Sequence, residues 1–163
     1  PLGQSAGLQS FHYRLIESSL GNRTKARRRP HAQDADVTAL LENELSQPSL
    51  YDVALRLLSN SLPLPAQVLS RDVSLPYQAS DAVMQAWTTV YQAPETHWEL
   101  YEPADKLVDF EAYFRRWRVN HVTPVERVIG FKRGTGGTGG VSYLKRMLEV
   151  ELFPELWHLR TEL

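Results

Sequence analysis

The chain contains no cysteine, which removes disulfides, thiolate metal sites and cysteine nucleophiles together. No apolar run approaches the roughly 20 residues needed to span a bilayer, and no signal peptide opens the sequence. We therefore expect no membrane partner, and a cytoplasmic location is compatible with these absences. The net charge is only −1, so no global field recruits nucleic acid or an acidic surface. A nucleophile elbow, a carboxylate dyad and an internal repeat are also missing. Pro1 stands first where an intact chain would carry methionine, and we expect a truncated or processed protein.

What is present is helical periodicity over a length, 163 residues, that can enclose a core. Leu8, Phe11 and Leu15 space like one helix face, with Gly21 as its C-terminal cap. Val37, Leu40, Leu41 and Leu45 form a second stripe, with Asp34 or Asp36 to cap its start. Ser49 and Asp52 resemble a capping box opening a third helix that should bury Val53, Leu57 and Leu58. Residues 61–79 hold three prolines and read as a long loop with one short helical turn. Ser80 can cap a helix carrying Val83, Trp87, Val90 and Tyr91. Leu107, Phe110, Phe114, Trp117, His121, Val125 and Val128 then recur at steps of three and four on one long amphipathic helix, with Glu111, Arg115, Arg118 and Arg127 on its other faces. Pro103 marks its first turn or a kink, and Pro124 should bend it. Leu144, Met147 and Leu148 suggest a further helix, and Pro154 suits the first turn of a last one with Leu156, Trp157 and Leu159. The expected fold class is all-α, one domain over residues 1–163.

Three features could carry chemistry. His121 lies on the apolar stripe. It reads either as a core histidine bonded to a neighbour or as an axial ligand presented to haem iron from a rigid element. The glycine-rich run GTGGTGG at 134–140, with Thr135 and Thr138, reads as an anion-binding loop, a mobile loop closing on a small ligand, or a plain linker. No strand precedes it, and Lys132 and Arg133 come before the glycines, which argues against a phosphate loop. Arg14, beside Phe11 and Tyr13, could clamp a carboxylate or lie solvated with a packed stem. The basic run Arg23, Lys25, Arg27, Arg28 and Arg29 lacks interleaved aromatics and reads as a solvated loop, so nucleic acid is not an expected partner. His12, His31, His97 and His158 show no metal-ligand spacing.

Several blocks together are more specific. RWRVNHVTPVERVIGFKRGTGGTGGVSYLKRML, at 116–148, resembles the haem-binding segment of tryptophan 2,3-dioxygenases, and SAGLQSFHYRLIESSLGN, at 5–22, resembles their substrate-binding helix. PSLYDVALRLL, RDVSLPY, VYQAPETHWELYEPADKLVDFE and FPELWHLRTEL are similar to the other blocks of bacterial members, in the right order. The resemblance implies a helical haem-binding bundle of the tryptophan/indoleamine dioxygenase type, a homotetramer with haem b. It implies His121 as the proximal iron ligand, Arg14 on the substrate carboxylate and Thr135 at the amino-acid head group. It further implies L-tryptophan or a related aromatic amino acid and dioxygen as substrates, with N-formylkynurenine as product. Leu8, His12 and Val73 depart from the usual phenylalanine, glutamine and tryptophan. The family's N-terminal segment, which supplies the distal side of the pocket, is absent and is an expected partner. A monooxygenase acting on an aromatic amino acid, and a non-catalytic helical module binding an anion through the glycine run, are the alternatives.

Overall fold

The computed structural model describes residues 11–23, 35–129 and 141–163, and over these the chain is helical with no strand. The helices are α1 (Phe11–Ser19), α2 (Ala35–Ser46), α3 (Leu50–Ser59), α4 (Ala66–Leu69), α5 (Asp81–Gln92), α6 (Trp98–Ile129), α7 (Val141–Leu148) and α8 (Pro154–His158), with a 3-10 turn at Leu159–Thr161. The expected all-α class is therefore what forms. The loop expected over 61–79 is also seen, with α4 as its one helical turn.

The helix ends follow local chemistry. Ser49 accepts from the Asp52 amide through its hydroxyl, while the Asp52 carboxylate accepts from the Ser49 amide at 2.8 Å, a complete capping box. α1 ends where Gly21 adopts φ +104°. The Asn22 amide reaches the Glu17 carbonyl at 2.9 Å and the Gly21 amide reaches Ser18 at 3.1 Å, the double closure of a Schellman motif. A Cβ on Gly21 would stand 3.1 Å from Tyr51 Cβ, so backbone angle and space both require glycine. Pro154 occupies the first turn of α8, where its missing amide costs nothing. Ser80 precedes α5 but makes no side-chain cap; its amide instead donates to the buried Glu155 carboxylate at 3.1 Å.

The main core joins α3, α5, the first half of α6 and α8 through Leu58, Val83, Val90, Ala104, Leu152 and Leu159, all without solvent exposure. Two expected faces turn out differently. On α3 the buried side chains are Tyr51, Asp52, Ala54, Leu55 and Leu58, while Val53 is 50% exposed and Leu57 also lies outward. Polar anchors set that rotation. Tyr51 stacks on Tyr77 at 3.8 Å and donates to Glu155 at 2.6 Å, and Asp52 pairs with Arg71 at 2.7 Å. On α6 the buried line runs Leu100, Ala104, Val108, Glu111, Arg118 and Val122, not along the aromatic stripe. α6 continues through both Pro103 and Pro124 as one helix.

Candidate functional site

The aromatic stripe of α6 is half outside the protein. Phe110 and Trp117 are 42% and 44% exposed, and Tyr113 is more so. Successive rings stack along the helix: Phe110 on Phe114 at 6.2 Å, Phe114 on Trp117 at 5.6 Å, and Trp117 on His121 at 6.2 Å with 21° between planes. Tyr13 of α1 lies against this ladder, 5.9 Å from Phe114 and 5.5 Å from Trp117. Its hydroxyl donates to the buried Glu17 carboxylate at 2.5 Å, which Asn22 also approaches. One face of Trp117 is thus held and the other direction is open.

His121 stands at the end of the ladder with its ring only partly covered. No described residue hydrogen-bonds to it. An imidazole on a rigid helix, flanked by exposed apolar rings, fits a flat apolar macrocycle that brings its own metal and asks one nitrogen of the protein. Among the described residues no three His, Cys, Asp or Glu side chains gather to hold a bare ion.

Behind the ladder, α6 carries two charges at zero exposure, Glu111 and Arg118, where hydrophobic spacing predicts outer faces. Glu111 accepts from the amides of Leu152 and Phe153 at 2.9 and 3.0 Å, capping the entry to α8. Arg118 donates through Nη1 to the carbonyls of Met147 at 2.6 Å and Val150 at 2.9 Å, at the exit of α7, and its guanidinium lies 4.8 Å over Phe114. Burial pulls the Arg118 guanidinium below its ordinary value, with Tyr13 and Glu111 acting in the opposite sense. The signal was in the sequence. Continuing Leu100, Ala104 and Val108 by steps of three and four lands on Glu111, Arg115, Arg118 and Val122. Charge made those positions look solvated.

The basic run is corrected in the same way at its first residue. Arg23 is fully buried and donates to the carbonyls of Ser18, Glu44, Leu45 and Val73, tying α1 to α2 and to the 61–79 loop. Lys25, Arg27, Arg28 and Arg29 lie outside the described residues. So do Leu8, His31, Asp34 and the glycine run with Thr135. Arg14 has its backbone on α1, beside Tyr13, but its side chain lies outside the described residues. The structure thus brings α1, which bears Arg14, against the ladder that ends at His121.

The family model described as tryptophan 2,3-dioxygenase matches residues 43–163. The chain belongs to the tryptophan 2,3-dioxygenase family. Proteins of that name agree in detail: one from Bradyrhizobium diazoefficiens is 71% identical over 98% of this chain. Those from Ruegeria pomeroyi and Bordetella pertussis are 57% and 55% identical over 99% of it. The chain spans 58%, 58% and 57% of these relatives' own lengths. Among the described residues no helix is long and apolar enough to cross a membrane.

Proposed function

We propose that this chain is part of a haem-dependent tryptophan 2,3-dioxygenase, with His121 as the proximal ligand of haem b. The observation that carries the reading is the half-covered His121 imidazole at the end of an exposed aromatic ladder. The relatives' shared name, tryptophan 2,3-dioxygenase, supports tryptophan as the substrate and dioxygenation as the reaction class. Residues 1–163 act as one helical domain. The rest of the pocket wall corresponds to the part of the relatives' length beyond this stretch, and the assembly is a homotetramer.

His121 would hold the iron, and the bound haem would supply dioxygen activation for opening the indole ring to N-formylkynurenine. Stacking on Trp117 limits how the His121 ring can turn. Trp117 is itself braced by Tyr13 from α1, so the ligand and the substrate-bearing helix share one wall. Arg14 on α1 would clamp the substrate carboxylate through two parallel N–H donors. Thr135 would hold the amino-acid head group. Holding the carboxylate and the rest of the head group would place the indole against the haem, and that placement would contribute much of the rate. Phe110, Phe114 and Trp117 would exclude water from the proximal side.

The test is an ultraviolet–visible spectrum of the reduced protein, before and after L-tryptophan and air are added. A Soret band with growth of formylkynurenine absorbance is expected. A colourless protein, or a product carrying one added oxygen instead of two, would refute the reading.

A further inference from the structure

We propose that Arg118 is a positioning residue for His121: it ties one turn of α6 to the carbonyls ending α7 and so fixes the direction in which the imidazole faces. The inference rests on the haem reading above and adds to it a residue with no contact to the cofactor.

Arg118 and His121 are three residues apart, so they share a turn and differ by about 60° short of a full revolution. On the inner edge, Phe114, Arg118 and Val122 stand on successive turns. Phe114 lies under the guanidinium, and Val122 is buried with Tyr13 and Met147. On the outer edge, Trp117 meets the rings of Phe114, Tyr13 and His121, and Trp117 is the one ring contact of His121 among the described residues. The azimuth of the outer edge is therefore set by what holds the inner one. The strongest hold there is directional: two hydrogen bonds from one Nη1, at 2.6 and 2.9 Å, to Met147 and Val150.

The second observation is a cost. Among the described residues, Nε and Nη2 of Arg118 have no hydrogen-bond partner, although the side chain is fully buried. A buried charge with unmet donors is a poor way to stabilise a helix pair, since an apolar chain of similar volume does so without desolvating an ion. What the guanidinium provides and an apolar chain cannot is angular precision. Two carbonyls at the end of α7 are read by one rigid plane, so α6 can neither rotate nor slide against α7 without losing them. Glu111 repeats the device two turns earlier with Leu152 and Phe153, at a point remote from His121.

Arg118→Met and Arg118→Lys test this in the haem-loaded protein, with circular dichroism and thermal melting as controls for folding. Arg118→Met is expected to keep its helicity while weakening haem binding about tenfold or more, as loss of a group that orients a metal ligand does. The iron–histidine stretching band of the ferrous protein should shift or broaden. Arg118→Lys, which can reach one carbonyl, should restore part of both. Haem affinity within twofold of the parent with an unmoved band in Arg118→Met overturns the proposal. If Arg118→Met does not fold, Arg118→Lys decides: a folded protein with parental affinity and band refutes positioning, and one with weakened affinity and a moved band supports it. In the haem-free chain, the His121 ring proton resonance senses stacking on Trp117. It should move in the variants, and an unmoved resonance overturns the inference whatever the parent does with haem.

Discussion

The two ends of α6 belong to different kinds of interior. Around Leu100, Ala104 and Val108 the helix sits in a continuous apolar core with α3, α5 and α8. Around Arg118 and Val122 the buried apolar set shrinks to Tyr13, Val122 and Met147, and charged side chains take over the joining. Arg118 is buried there and bonded to two backbone carbonyls, and Glu17 is buried behind Tyr13, whose hydroxyl it accepts from. Along α6, the first end is held mainly by apolar area. The second is held by direction and leaves an aromatic ladder half exposed. A site that must present one imidazole at one angle is expected at the second kind of end, and His121 is there.

The largest break in this comparison is His121→Ala. Stable haem binding should vanish, with loss of the Soret band, while the helix content and melting of the haem-free chain stay close to the parent, because the ring is only partly buried. Leu58→Ala is the converse. Leu58 has no exposure, and truncating it should cost about 2–5 kcal/mol of folding stability. Denaturant titration measures that loss, and the haem spectrum of the folded fraction should be unchanged. If Leu58→Ala moved the spectrum as well, the two ends would not be separable and the comparison would fail.

How much of this was legible depends on what set each face. The capping box at Ser49 and Asp52, the Gly21 terminator, the 61–79 loop and the Pro154 start are local, and local chemistry decides them. The buried faces of α3 and α6 are not local. Tyr51 and Asp52 turn inward because Glu155 and Arg71, remote in sequence, wait for them. Glu111 and Arg118 turn inward because amides of the α7–α8 connector and a carbonyl in the last turn of α7 bond to them. Hydrophobic spacing cannot see a partner that is a backbone group elsewhere. His121 was placed on the aromatic stripe from spacing alone, and its stacking on Trp117 agrees. That the stripe faces outward was not readable from its composition.

Two carboxylates of the apolar end sharpen the comparison by pH. Burial raises the Asp52 carboxyl, but the Arg71 and Ser49 hydrogen bonds outweigh it, so its net value lies below the ordinary 3.8. A depressed acid stabilises the fold above its unfolded value, and that contribution is lost as pH falls through the folded one. Asp52→Asn should therefore cost about 1–2 kcal/mol at neutral pH, through the cap and the Arg71 pair. The deficit should shrink as pH falls below about 4, as urea midpoints over pH 3–7 would show. An unchanged neutral-pH midpoint would mean that apolar area alone holds α3.

Glu155 has the opposite sign and the smallest expected effect. Burial raises its carboxyl above the ordinary 4.5, against the hydrogen bonds it accepts from Tyr51 and Ser80. Burial and then the Glu155 charge push the Tyr51 phenol upward, so the hydroxyl remains the donor. A raised acid favours the fold fully below its unfolded value, and that advantage is lost as pH rises through the folded one. At pH 7 the buried carboxylate is therefore a burden that its two donors offset only in part. A glutamine oxygen can accept from the same two donors without a charge. Glu155→Gln should change stability at pH 7 by less than about 1 kcal/mol, in the stabilising direction, and should flatten the decline as pH rises above the ordinary 4.5. A large loss on Glu155→Gln would show that the charge itself orders Tyr51, and the apolar end would then depend on direction as much as the His121 end does.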